Sequence, residues 1–248
     1  MNKKQKQNLF LYGSIITVCA LILLTFSFVM PDKPTYELVD TEVDSTTVVN
    51  NNSQPTYIGT VVLDPGHGGY DVGASSADGR IVEKEFDLKI AIKVKDILEQ
   101  NGVKVIMTRI NDDVTWSNDN GKDLQARLDI ATKEKADLMV SIHCNVSDED
   151  IYNVSGSEVY ANAEQKTSTA LANSIVSELN KLSPGMPSRG VKTAVLHLTL
   201  FNKVPTVIVE MGFVSNPKDV EYLLNNETQN KMVEAIANGI INHLKTDE

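Results

Sequence analysis

Ile58-Gly59-Thr60-Val61-Val62-Leu63-Asp64-Pro65-Gly66-His67 is the stretch whose reading decides the fold. Residues 58–63 are short, apolar and rich in β-branched side chains, and Asp64-Pro65-Gly66 stops them, so they read as a buried strand ending in a turn. Downstream the period changes. Between residues 83 and 100, Phe86, Ile90, Val94, Ile97 and Leu98 recur at helical spacing, and Asn101-Gly102 supplies the stop. Residues 103–108 read as a second strand. Leu124, Leu128 and Ala131 mark a second helix, and residues 138–142 are apolar except for Ser141.

The alternation continues to the end of the chain. Residues 158–161 read as a strand, and Leu171, Ile175, Leu179 and Leu182 as a helix face. Residues 206–211 read as a buried strand. Asn216-Pro217 pairs a capping residue with proline at the first helical position. Met232, Ile236, Ile240 and Leu244 mark a last helix. Strands alternating with helices predict an α/β fold over residues 58–248: a single-domain sandwich with a largely parallel central sheet flanked by helices.

Upstream of this domain the composition changes twice. Residues 9–30 form an uncharged apolar run, and a helix needs about 20 such residues to cross a bilayer. Lys3, Lys4 and Lys6 precede it. The positive-inside bias then places residues 1–8 in the cytoplasm and the rest of the chain outside. The expected location is a single-pass cell-membrane protein with an extracytoplasmic domain. A secreted protein is the alternative, but a cleaved signal has a shorter apolar core, and Phe28-Val29-Met30-Pro31 lacks the small residues of a cleavage site. Residues 31–57 are rich in Thr, Asn, Asp, Ser and Pro and read as a flexible linker.

About 190 residues beyond the linker suffice for one core and are too few for two ordinary domains. The formal net charge is −10, and three of the 23 basic residues lie ahead of the apolar run. The remaining body is acidic, which excludes the basic face that a nucleic-acid partner needs. Cys19 lies in the apolar run and Cys144 beside a histidine, so no disulfide framework is expected.

Polar residues gather where the apolar strands end. His67 follows Val61-Val62-Leu63, His143 follows residues 138–142, and Glu210 follows Val207-Ile208-Val209. In open α/β sheets, sites form beyond the carboxyl ends of the strands, so these residues would converge if the strands are parallel. Each also has a plainer reading. His67 sits among Gly66, Gly68 and Gly69, where turn chemistry alone explains the glycines. Glu83 at a helix start would favour the helix dipole. Glu210 resists this, because a carboxylate in a buried strand is costly unless it is paired, protonated or metal-linked. His243, in the last helical turn, reads as a surface residue. His197 reads as a strand or loop residue, or as one that supports the site.

Four segments in order carry a resemblance: Val61-Val62-Leu63-Asp64-Pro65-Gly66-His67-Gly68-Gly69, Glu83-Lys84, Ser141-Ile142-His143-Cys144-Asn145 and Val209-Glu210-Met211-Gly212-Phe213-Val214-Ser215-Asn216-Pro217. Together they resemble the zinc-dependent N-acetylmuramoyl-L-alanine amidases, bacterial cell-wall hydrolases of the amidase type 3 catalytic domain. Arg109, Arg127 and Arg189-Gly190-Val191-Lys192 are similar to the same pattern, which covers residues 60–244. The resemblance implies that His67, Glu83 and His143 hold Zn2+ and that Glu210 is catalytic. The family's carboxylate ligand precedes a lysine, which selects Glu83 over Glu85. There are departures. Cys144 stands where alanine is common, Asp87 where asparagine is frequent, and Leu200 near where many members carry an arginine. Cys144 reads as a small buried residue, with an extra thiolate ligand as the alternative.

Two histidines and one glutamate would leave a zinc position for water, the layout of a catalytic rather than a structural site. The expected reaction is hydrolysis of the amide between N-acetylmuramic acid and L-alanine in peptidoglycan. Glu210 would move protons between the attacking water and the leaving amine. The alternatives are an inactive wall-binding or scaffold protein on the same fold, and a zinc peptidase or deacetylase of the same polymer. The short anchored layout is similar to that of sporulation amidases acting on cortex.

Overall fold

The computed structural model describes residues 56–148 and 153–246. The expected cytoplasmic segment, membrane anchor and nearly all of the linker lie outside the described residues. Among the described residues no helix is long and apolar enough to cross a membrane.

Six strands form one sheet: β1 (Gly59–Pro65), β2 (Val103–Met107), β3 (Leu138–Asn145), β4 (Ser157–Ala161), β5 (Ser188–Lys192) and β6 (Thr206–Phe213). Their spatial order is β2-β1-β3-β6-β4-β5. The four strands β2, β1, β3 and β6 run parallel. Strand β4 is antiparallel to β6, and β5 is parallel to β4. The sheet is therefore mixed, with its parallel part carrying the apolar strands foreseen in the sequence. The reversal has a local cause. Parallel neighbours need a crossover of a dozen or more residues, usually a helix. No helix lies among the described residues between β3 and β4, so β4 enters the sheet from the edge at which β3 left it.

The helices are α1 (Glu83–Gln100), α2 (Asn120–Lys133), α3 (Lys166–Leu179), the short α4 (His197–Leu200), α5 (Pro217–Leu224) and α6 (Asn226–Thr246). Asn216 caps α5 as its sequence suggests, its side chain accepting from Lys218 N at 2.9 Å. Strand β5 had no apolar run to announce it. Its residues are partly exposed at the sheet edge, and it pairs with β4 alone.

The strand period of two sorts the core into two layers. Val61, Leu63, Val140, Ile142, Val207 and Val209 face the larger cluster with Ile90 and Val94 of α1, Ile175 of α3 and Ile236 and Ile240 of α6. Val62, Met139 and Ile208 face the opposite way, against Leu128 and Ala131 of α2 and Leu198 of α4. The larger layer depends on a close helix–helix approach. A Cβ on Gly239 of α6 would lie 2.5 Å from the Ile175 Cα, and the Gly239 carbonyl accepts from Ser174 Oγ at 2.7 Å. His243 is buried, at 3% exposure, which corrects the surface reading. Residues Ile240, Ile241 and Leu244 beside it are also buried, because α6 packs to its last turn.

Gly239→Ala sets two effects against each other. Alanine gains about 1 kcal/mol of helix propensity, while forcing a methyl into a backbone contact costs about 1–3 kcal/mol. The backbone at Ile175 has no rotamer by which to yield, so the substitution should lower stability. The urea midpoint should fall at unchanged slope; a raised midpoint would show that α3 and α6 separate freely.

Candidate metal centre

The site begins with a turn forced into an uncommon shape. After β1, His67 adopts φ 56°, a left-handed conformation rare outside glycine. Two buried arginines hold the turn. Arg127 donates from Nη2 to the His67 carbonyl at 2.7 Å and from Nη1 to the Pro65 carbonyl at 3.1 Å. Arg109 donates from Nη2 to the Gly66 and Lys84 carbonyls at 2.6 and 2.7 Å, tying the turn to α1. Arg127 is itself fixed by Asp64 Oδ1 at 2.9 Å and Asp123 Oδ1 at 2.6 Å. Thr108 and Ser141 hydroxyls complete the shell of Asp64, each at 2.7 Å. Burial opposes charge on Asp64, but Arg127 and these hydroxyls outweigh it and hold its pKa below the ordinary carboxylate value.

Three chain segments then meet. His67 comes from the turn, Glu83 from the first residue of α1 and His143 from within β3. His67 Nε2 lies 3.0 Å from Glu83 Oε1, and His143 Nδ1 lies 3.2 Å from the same oxygen. The two imidazole rings sit edge to face with centroids 4.9 Å apart. Glu83 is buried, and its other oxygen accepts from Ala74 N at 2.7 Å. Glu85 is exposed, so the choice of Glu83 between the two glutamates agrees with the geometry. Gly73 has φ 66°, and a Cβ there would lie 2.6 Å from His67 Cδ2 and 2.7 Å from Glu83 Oε2. No larger residue fits that close approach.

Asp71, which the sequence did not single out, accepts from His67 Nδ1 at 2.8 Å through Oδ2. It orients the ring so that Nε2 faces Glu83, as a carboxylate commonly does behind a metal-binding histidine. Asp87 joins the same group. One donor atom each from His67, Glu83, Asp87 and His143 lie within 4.8 Å of one another, a candidate metal site. Cys144 is not in that group. Its side chain packs in the larger core layer, and burial, with Asp87, Glu83 and Glu210 nearby, pushes its thiol pKa well up. The small-buried-residue reading of Cys144 therefore holds over the thiolate one.

Glu210 sits next to His143. The two are direct partners in the β3–β6 register and share a sheet face through the period of two. Strand β3 continues past the point read from sequence, so His143 lies inside it rather than beyond it, while Glu210 lies inside β6 as expected. On the other side Glu210 faces Glu158 of β4, whose carboxylate is bonded to Arg189 and to Tyr160 Oη. Burial, opposed by His143 but reinforced by Glu83 and Glu158, pushes the Glu210 carboxyl up to about 7. Two adjoining pockets open here and share Leu124, His143 and Leu198. One is acid-lined, with Asp71 and Asp123; the other is apolar, with Leu196, Ile208, His197 and Glu210. His197 thus reaches the pocket of Glu210 from the start of α4, and Leu200 is partly exposed on the same short helix.

Residues 61–242 match the family profile described as N-acetylmuramoyl-L-alanine amidase. The chain is 34% identical over 208 residues to the N-acetylmuramoyl-L-alanine amidase LytC of Bacillus subtilis, a match covering 83% of this chain and 40% of LytC. It is 30% identical over 190 residues to the germination-specific N-acetylmuramoyl-L-alanine amidase of the same organism, covering 74% of this chain and 78% of that one. Among solved structures, the N-acetylmuramoyl-L-alanine amidase AmiC2 of Nostoc punctiforme superposes with a TM-score of 0.67 at 34% identity, over 76% of this chain and 98% of that one. With the match running through every strand that carries a candidate site residue, this chain belongs to the N-acetylmuramoyl-L-alanine amidase family.

Proposed function

We propose that this protein hydrolyses the amide between N-acetylmuramic acid and L-alanine in peptidoglycan, with zinc held by His67, Glu83 and His143. The observation that carries the reading is the convergence of two imidazoles and a buried carboxylate beside a second carboxylate, Glu210. The donor set fits the ion: nitrogen and oxygen ligands in a pocket, with one ring fixed from behind by Asp71. Zinc so bound supplies Lewis acidity toward an amide carbonyl and a water of lowered pKa.

The remaining work falls to the chain itself. Glu210 takes the proton of the attacking water and passes it to the departing amine nitrogen. A carboxyl raised to about 7 suits both directions of transfer near neutral pH. An apolar pocket lies beside Glu210, and the acid-lined pocket adjoins it past His67. Glycoside cleavage would instead call for two carboxylates flanking the bond, and Glu83 is committed to the two histidines.

Two finer readings go with this one. Residues 9–30 anchor the protein in the membrane with residues 58–248 outside, supported by the length of the apolar run and the lysines ahead of it. A role in sporulation, on cortex peptidoglycan, is supported by the layout of one apolar run, a linker and a single domain.

Peptidoglycan digested with the purified protein should release peptides beginning with L-alanine and leave glycan chains intact. New reducing ends without new L-alanine N-termini would mean a glycosidase, and free amines within the stem a peptidase. The two sides of the site should separate under mutation. His67→Ala should lose most of its zinc by elemental analysis. Glu210→Gln should keep the ion and the fold while turnover falls by about 10²–10⁴-fold. Full zinc in the first variant, or wild-type turnover in the second, would remove that residue from its role. For the anchor, N-terminal sequencing of protein recovered from membranes should read the intact start of the chain. A soluble product beginning near residue 31 would show a cleaved signal instead.

A further inference from the structure

Asp87 lies one helical turn beyond Glu83 on α1, so the two carboxylates share a face of the helix. It is fully buried. Among the described residues neither of its oxygens accepts a hydrogen bond. The nearest cation does not answer this, because the Arg109 donors go to the carbonyls of Pro65, Gly66, Lys84 and Asn111. The Cys144 thiol lies beside it, but a thiol is a weak donor. A buried carboxylate without a strong donor is among the costlier arrangements a core can hold, unless it takes up a proton or a cation meets it.

The direction of the side chain shows where that cation would be. A Cβ placed on Gly66 would lie 2.7 Å from Asp87 Oδ2 and 2.5 Å from His143 Nδ1. The two atoms therefore converge over one point of the turn backbone. His143 Nδ1 is also the ring nitrogen that faces Glu83 Oε1, at 3.2 Å. Asp87 thus reaches the candidate metal site from α1, and its donor atom lies within 4.8 Å of those of His67, Glu83 and His143.

We propose that Asp87 is a further protein donor to the ion, so that this chain holds zinc with two imidazoles and two carboxylates. The proposal rests on the zinc reading above and deepens it. Zinc accepts carboxylate oxygen at about 2.0–2.2 Å and expands to five ligands, so a fourth protein donor leaves room for the attacking water. An asparagine here would be neutral and nearly the same shape, so it is the charge of Asp87, not its packing, that would meet the ion.

The test compares zinc affinity of the full chain with Asp87→Asn, by competition against a chromophoric chelator, with apo far-UV circular dichroism to establish equal folding. The variant should bind zinc more weakly by at least roughly 10-fold, the lower end of what a lost supporting group costs. Equal affinities would overturn the role of Asp87 while leaving His67, Glu83 and His143 in place. A wild-type chain that takes up no stoichiometric zinc would overturn the zinc reading itself, and this inference with it. A crystal structure of the zinc-loaded wild-type chain decides the point without a variant. An Asp87 oxygen at about 2.0–2.2 Å from the ion supports the proposal, and the absence of one within roughly 3 Å overturns it.

Discussion

The buried Arg127–Asp64 pair is the constraint on which the site depends. A guanidinium and a carboxylate in a core repay their loss of water only when nearly every donor and acceptor is used. Here Arg127 spends its donors on Asp64, Asp123 and the carbonyls of Pro65 and His67. Asp64 takes up the hydroxyl of Thr108, the residue just after β2, and that of Ser141 within β3. The pair fastens β1, β2, β3 and α2 together and also grips the backbone of the turn after β1. Removing one partner of such a pair costs about 3–5 kcal/mol, because the other charge is left behind. That energy is large enough to hold His67 in a backbone conformation that costs of order 1–3 kcal/mol.

Arg109 performs the complementary task. By bonding the carbonyls of Gly66 and Lys84 together, it sets the distance between the turn and the first residues of α1. The helix start is where Glu83 stands, and Asp71 sets the rotation of the His67 ring. His67 and Glu83 are thus supported by groups that do not face the ion. Sites held this way keep their geometry before any ligand arrives. His143 needs less support, because it belongs to a central strand flanked by β1 and β6.

The mixed sheet matters for the chemistry as well as for the topology. Because β4 runs against β6, Glu158 stands directly across from Glu210 and adds its charge to the burial that raises the Glu210 carboxyl. Arg189, on edge strand β5, bonds Glu158 and lies over the Phe213 ring at 5.4 Å. The antiparallel half of the sheet is therefore continuous with the Glu210 side of the site, while β1 and β3 of the parallel half lead to the histidines. Similarity to LytC and AmiC2 extends across both halves, although this chain spans well under half of LytC.

Sequence alone determined the alternation of strands and helices, because burial on one or two faces leaves a period of 2 or 3.6 in the residues themselves. It also picked out His67, Glu83, His143 and Glu210, since polar groups embedded beside apolar strands stand out against their surroundings and four ordered motifs resemble one family. What it could not carry was anything set by partners distant along the chain. The reversal of β4 arises from how the chain re-enters the sheet, and β5, a partly exposed edge strand, has no apolar run to read. His243 looked like a surface residue, and only the packing of α6 buries it. Asp71 and Glu158 are ordinary acidic residues in sequence, and Asp87 stood out only as a departure from the family pattern. Their meaning lies in which groups face them, and for Asp87 in having no donor stronger than the Cys144 thiol among the described residues, a property of three-dimensional contact that no local pattern encodes.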